Sequence, residues 1–142
     1  MFNTIHQSIL ESVPEAVIFS DREGIIRIWN RGAEAAMGFS ANDVLGQSLD
    51  MIIPEPFRKA HWDGYHRAIA HGSTKHNGGS MITRALHKNG QQIYIDVSFS
   101  IVKNPAGEVI GSAAIARDAT DRFMKERAMN KQLAELMAKS SG

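Results

Sequence analysis

The sequence predicts an α+β fold in which a five-stranded antiparallel sheet has helices over one face and a flanking helix at each end. Three observations predict it. Strand-like segments are segregated from helical ones along the chain, which is typical of α+β folds. Apolar and polar residues alternate from Ile93 to Ile101, the period of a strand with one buried face. Short loops rich in glycine, asparagine or proline separate neighbouring strand-like segments, as in antiparallel hairpins.

The N-terminal half is predicted to contain a helix, a hairpin and three further helices. Pro14 is expected to end the first helix, because a residue before proline rarely adopts a helical conformation. Gly38 is expected to end the second helix, and Ser40 with Asp43 resembles a capping box that begins the third. The predicted elements are, in order, a helix over 4–13, strands over 16–20 and 25–29, and helices over 30–38, 40–46 and 54–70.

The last third is predicted to be a three-stranded meander followed by a helix. Asn89-Gly90 and Asn104-Pro105 are typical turn residues between such strands. Asp118 or Thr120 is expected to cap the final helix, and residues 140–142 to form a frayed end. The predicted elements are a polar loop over 72–79, strands over 81–87, 93–101 and 109–116, and a helix over 120–139.

The composition excludes several classes of function. The 142 residues include no cysteine, which excludes disulfide scaffolds, cysteine zinc sites, iron–sulfur clusters and cysteine nucleophiles. Sixteen basic and fifteen acidic residues are interspersed, which is not typical of nucleic-acid-binding proteins. No apolar run approaches the ~20 residues of a membrane span, and residues 1–7 do not resemble a signal peptide. We therefore expect one cytoplasmic domain without nucleic-acid or membrane partners.

Between Ile9 and Thr120 the chain carries an ordered set of short motifs: the run 11–21, Trp29-Asn30, Gly38-Phe39-Ser40, Leu45-Gly46, Lys88-Asn89-Gly90 and Arg117-Asp118-Ala119-Thr120. This set resembles the PAS domain family, which usually has Ile or Val where Ala119 stands here. The resemblance implies a sensory or interaction module, not an enzyme, whose sheet and helices enclose a small hydrophobic cup. It divides the chain into a flanking helix at 1–13, the PAS domain at 14–118 and a signalling and dimerisation helix at 119–142.

Four histidines, His61, His66, His71 and His76, recur at every fifth position. On a helix this step turns neighbouring side chains about 140° apart, so they do not bind one metal ion together. A zinc site built from this series is therefore not expected. His61 has a different significance, because the segment from Pro54 to His61 resembles the helix that supplies the proximal histidine in the oxygen-sensing haem PAS domains of nitrogen-fixation sensor kinases.

The resemblance implies that His61 binds the iron of a b-type haem, through which the domain senses a diatomic gas or redox state. It also implies that Arg67 and Lys75 lie near the haem propionates, with His76 one step away. Met81 stands where those sensors have a distal arginine, and is either a sixth iron ligand or an adaptable core residue. The distal wall would be apolar and formed by Val97, Phe99 and Ile101.

Two other interpretations of the cup stay open: another small ligand or a flavin, and an empty cup used for protein contacts. Trp29 and Trp62 are candidates to stack on a flavin ring, although packing is the commoner role of such aromatics. Asn30 is expected to tie the end of a strand to the next helix by hydrogen bonds.

The terminal helix is predicted to carry the output. It has an apolar stripe of less than two heptads, too short for a convincing coiled coil. Family resemblance implies a homodimer through this helix and the N-terminal one, with a downstream signalling protein or effector domain as the next partner. The apolar residues concerned are Met129, Leu133, Leu136 and Met137 in the terminal helix, and Ile5, Ile9 and Leu10 in the first.

Overall fold

The computed structural model describes residues 4–74 and 79–141. Two short 3₁₀ turns, Leu49–Ile52 and Glu55–Phe57, precede the long central helix. The helices and strands are, in chain order, α1 (Thr4–Ser12), β1 (Ala16–Asp21), β2 (Ile26–Trp29), α2 (Arg31–Met37), α3 (Ala41–Val44), α4 (Arg58–His71), β3 (Ser80–Leu86), β4 (Gln92–Lys103), β5 (Val109–Asp118) and α5 (Thr120–Ser141).

The five strands form one sheet in the order β2-β1-β5-β4-β3, and all neighbouring strands are antiparallel. The register places Ile18 of β1 beside Ala114 of β5, which pairs in turn with Phe99 of β4. Because side chains alternate between the two faces, these residues share the inner face. Ser98 and Ile115 pair on the outer face. The predicted α+β class with five antiparallel strands is confirmed.

Helices α2 and α3 and the first 3₁₀ turn cover part of the inner face. Among the side chains buried between them and the sheet, Met37, Val44 and Val97 are almost completely enclosed. Neither end of the chain takes part in this core: α1 has no buried residue, and residues 124–140 of α5 are all exposed. No helix within the described ranges is long and apolar enough to cross a membrane.

The observed helices differ from the predicted ones at several ends, notably the start of α4 and the end of α5. The helix predicted from residue 54 begins at Arg58, because the Phe57 N–H donates to the Pro54 carbonyl and closes a 3₁₀ turn. The prediction of a frayed end is wrong at Ser140, which lies within α5 and donates its hydroxyl to the Met137 carbonyl.

Asn30 joins three parts of the chain beneath the sheet, as the sequence predicts. Its side chain is 1% exposed and is hydrogen-bonded at both ends. The oxygen accepts from the N–H groups of Val17 (2.8 Å) and Ala33 (3.0 Å), so it caps α2. The amide nitrogen donates to the carbonyls of Leu10 (2.6 Å) and Glu15 (3.1 Å). One amide thereby fixes α1, β1 and α2 to one another.

We expect Asn30→Ala to lower the free energy of unfolding by about 3 kcal/mol, because it removes a helix cap and leaves buried backbone groups unpaired. Urea unfolding followed by circular dichroism measures this change. Ser40→Ala is the matched control, since Ser40 caps α3 through a solvent-exposed hydrogen bond from the Asp43 N–H. The control is expected to cost about 1 kcal/mol or less. Equal costs for the two variants would show that Asn30 is an ordinary cap.

Candidate functional site

Helix α4 presents a row of residues at four-residue spacing, His61, Tyr65 and Ile69, towards the sheet. Residues at this spacing lie on one face of a helix. Ile69 is buried, and the Tyr65 hydroxyl lies 2.9 Å from the Ser20 hydroxyl on β1. The same Tyr65 hydroxyl donates to the backbone carbonyl of Asp21. The row that contains His61 is therefore the row that faces β1.

Trp62 fixes the same helix to two segments, the first 3₁₀ turn and the loop between β1 and β2. Its Nε1–H donates to the Asp50 carboxylate at 2.7 Å. The indole ring lies directly over Gly24, where a Cβ atom would come within 2.1 Å of it. Gly24 also has φ +80°, a backbone conformation that residues other than glycine rarely adopt. Glycine at this position therefore permits both the turn and the close approach of Trp62.

The imidazole of His61 is half-buried and lies against the rings of Trp62 and Tyr65, at centroid distances of 4.8 and 5.7 Å. Its Nδ1 is buried and has no hydrogen-bond partner among the described residues. Burial lowers the pKa of His61, and the Asp50 carboxylate opposes that effect. His61 is therefore neutral near pH 7, and its Nδ1 forms no hydrogen bond with another described residue.

An apolar wall on the inner face of the sheet consists of Val97, Phe99 and Ile101 of β4. Val97 is 1% exposed, whereas Phe99 is 38% exposed. Met81, at the start of the edge strand β3, pairs with Val97 and is 40% exposed. The wall is thus closed at Val97 and open to solvent beside Phe99 and Met81.

The remaining predicted site residues, and the neighbouring His66, are either exposed or outside the described residues. Arg67 is exposed, and its Nε donates to the Asp63 carbonyl of its own helix at 3.2 Å. Lys75 and His76 lie outside the described residues. His66 stacks on Trp62 with a centroid distance of 5.8 Å. In the part of the chain that the structure describes, no three His, Asp or Glu side chains come together as metal ligands.

The side chains present at this site fit a haem. A single neutral imidazole with an unpartnered nitrogen is the donor that haem iron takes from a protein. The apolar wall is the kind of surface that would suit a porphyrin ring. Arg67 is a cation available on the same helix to offset carboxylates.

Three residues that hold the site, Tyr65, Asp50 and Gly24, are absent from the predicted set. Only Tyr65 carries a sequence signal, because it lies one turn after His61. Conversely, Trp29, one of the two candidates to stack on a flavin ring, has a structural role, as has Asn30. Asn30 uses its whole side chain as described above, and the buried Trp29 donates its Nε1–H to the Phe39 carbonyl at 3.0 Å.

Comparison with known proteins supplies the family. The family model described as "PAS fold" matches residues 6–119. Sensor protein FixL of Bradyrhizobium diazoefficiens is 39% identical over 59 residues, which cover 42% of this chain and 12% of that protein. Oxygen sensor protein DosP of Escherichia coli is 26% identical over 118 residues, covering 83% of this chain and 14% of that protein. The chain therefore spans only a small part of the length of these relatives.

A solved structure has the same fold over nearly the whole chain. The structure of an RNA-binding light-oxygen-voltage receptor superposes with a TM-score of 0.73 and 21% identity, covering 98% of this chain and 39% of that one. At this level of identity the likeness supports the fold alone.

We expect His61→Gln to remove a pH-dependent part of the stability. Because burial lowers the pKa of His61 in the folded protein, the unfolded chain binds this proton more readily between the folded pKa and about 6.5. In that window the free energy of unfolding rises with pH, and above it the contribution of His61 is constant. Urea unfolding between about pH 5 and about pH 8 measures the slope, most carboxyl groups having titrated below this range.

The matched control is His6→Gln, which removes an exposed imidazole from α1. This control is expected to keep the wild-type slope, whereas His61→Gln is expected to flatten it. A His61→Gln profile parallel to that of the wild type would show that His61 is not desolvated.

Proposed function

Since the chain belongs to the PAS family of sensory domains, we propose that it binds a b-type haem beside His61 and relays a diatomic gas or redox signal through α5. We also propose that the domain is a sensory module without catalysis of its own. The observation that carries the haem proposal is the buried Nδ1 of His61, which lacks a partner among the described residues. The similarity to an oxygen sensor, DosP, supports the same proposal.

The residues of this chain would hold the group in defined ways. His61 provides a neutral nitrogen for the iron, and Trp62 and Tyr65 keep its helix in place. Val97, Phe99 and Ile101 would offer the ring an apolar surface. A bound haem supplies an iron that takes diatomic gases and changes oxidation state. Met81, at the open side of the wall, is the side chain that we assign as a sixth ligand, and Arg67 is the cation that we assign to the propionates.

The alternative function is a PAS module without haem, used for partner contacts or for another small ligand. The partial exposure of Phe99 and Met81 favours it, because an open apolar wall also suits a protein contact. The activity of any longer protein that contains this domain, and the downstream protein that receives its signal, are likewise proposals, since the chain spans a small part of its relatives. A cytoplasmic location is proposed with them.

We propose a homodimer through α1 and α5, whose apolar side chains are exposed. Leu133, Leu136 and Met137 of α5 are each more than half exposed, as are Ile5 and Ile9 of α1. A second copy would remove these stripes from water.

We expect the protein to show a Soret band when it is expressed with haem supplied, because His61 offers iron a neutral nitrogen. His61→Ala is expected to lose or shift the band, and the exposed His66→Ala is the matched control that keeps it. Met81→Leu is expected to change the spectrum if Met81 is the sixth ligand. Absence of a Soret band after reconstitution would contradict the haem proposal, and a flavin spectrum would replace it with a flavin.

We expect Leu133→Glu to shift a dimer to a monomer in sedimentation velocity, because it places a charge within the apolar stripe. Ala138→Glu adds the same charge about 140° away from Leu133 around the helix, and is expected to leave the dimer intact. A wild-type monomer at high concentration, or equal effects of both variants, would contradict a dimer built through this stripe.

A further inference from the structure

Four side chains form a continuous stack at the β3 edge of the sheet. The guanidinium carbon of Arg84 lies 5.4 Å from the ring centroid of Phe57 and 5.6 Å from that of Tyr94. Tyr94 stacks in turn on Phe123, with centroids 4.0 Å apart and ring planes 17° apart. The cation of Arg84 thus bridges two aromatic rings, an attraction that depends on its position over both faces.

The two ends of this stack lie at the starts of the two helices to which the proposed function assigns sensing and output. Phe57 is the last residue before α4, which begins at Arg58, and it lies one turn before His61. Phe123 lies in the first turn of α5. The stack therefore connects the start of the helix that carries His61 with the start of the terminal helix.

Tyr94 also holds α5 through its backbone. The Ala119 N–H donates to the Tyr94 carbonyl at 2.8 Å, and the Tyr94 N–H donates to the Thr120 hydroxyl at 3.0 Å. Arg122 adds an ion pair with Asp96 at 3.2 Å. Beyond Phe123 the helix is exposed as far as residue 140, so its position depends on these few contacts around one strand.

We propose that Arg84 couples α4 to α5, so that a displacement at the start of α4 changes how firmly α5 is docked on Tyr94. A shift of Phe57 moves one of the two rings that share the Arg84 cation. The guanidinium group of Arg84 would then move closer to one ring and away from the other. The resulting shift of Tyr94 would tighten or loosen its contact with Phe123. This inference rests on the proposed function, because it describes how a signal would pass from α4 to α5. The coupling itself involves only side chains of this chain, so it is tested without haem.

Hydrogen exchange without added haem tests this coupling. The Ala119 amide reports the docking of α5, and the Val97 amide, in the centre of the sheet, reports global unfolding. With Arg84 present, Phe57→Leu is expected to change the exchange rate of Ala119 relative to Val97 by about threefold, the size of one cation–aromatic contact at an exposed site. In the Arg84→Met background the same change at Phe57 is expected to leave that ratio constant.

Arg27→Met is the matched control, because Arg27 is an exposed, ion-paired arginine on the opposite edge strand β2. In that background Phe57→Leu is expected to act on Ala119 as in the wild type. Arg84→Gln, which also lacks the cation, replaces Arg84→Met if the latter does not fold. An equal effect of Phe57→Leu with and without Arg84, or no effect with it, overturns the proposal. Either result is independent of the Soret measurement, which tests the haem.

Discussion

The hydroxyl of Tyr65 and the indole of Trp62 hold α4 against the first hairpin, and the position of His61 follows from these two contacts. Tyr65 reaches Ser20 and Asp21 on β1, whereas Trp62 lies over Gly24 and donates to Asp50. Both contacts are on the β1–β2 side of the helix. On the inner face of the sheet, Phe99 and Met81 are partly exposed. The contacts of Trp62 and Tyr65 therefore hold α4 at the hairpin and the first 3₁₀ turn, whereas the apolar surface around Phe99 and Met81 is incompletely covered.

The polar side chains of Asn30 and His61 differ in how far their hydrogen-bonding groups are satisfied. Asn30 satisfies all its hydrogen-bonding groups, so its burial stabilises the fold. His61 has a buried nitrogen with no partner among the described residues, which costs free energy. Its pKa is lowered for a separate reason, because burial disfavours the charged form. Of the two, only His61 has a buried polar atom without a partner among the described residues.

Features carried by local patterns were predictable from the sequence, whereas contacts between distant segments were not. The alternation in β4 identifies Val97, Phe99 and Ile101 as one face, and the register confirms that face. Asn30 was predictable because a cap depends on neighbours in the chain. The contact of Tyr65 with Ser20 joins residues 45 positions apart and leaves no periodic signal. The exposure of Met81 depends on β3 being an edge strand, which strand order decides and alternation does not.

Because α5 is docked at its base, a small change at Tyr94 would produce a large displacement at the far end of the helix. The helix has 22 residues, and at about 1.5 Å per residue it extends about 33 Å from its first turn. A tilt of about 10° at that turn would move the far end by about 6 Å, comparable with one turn of helix. The apolar stripe at Leu133 and Leu136 lies in the far half of this lever. Because the contacts of α5 with the rest of the described structure are at its base, α5 can tilt without any rearrangement of the sheet. In the proposed homodimer such a tilt would change the spacing of the two stripes.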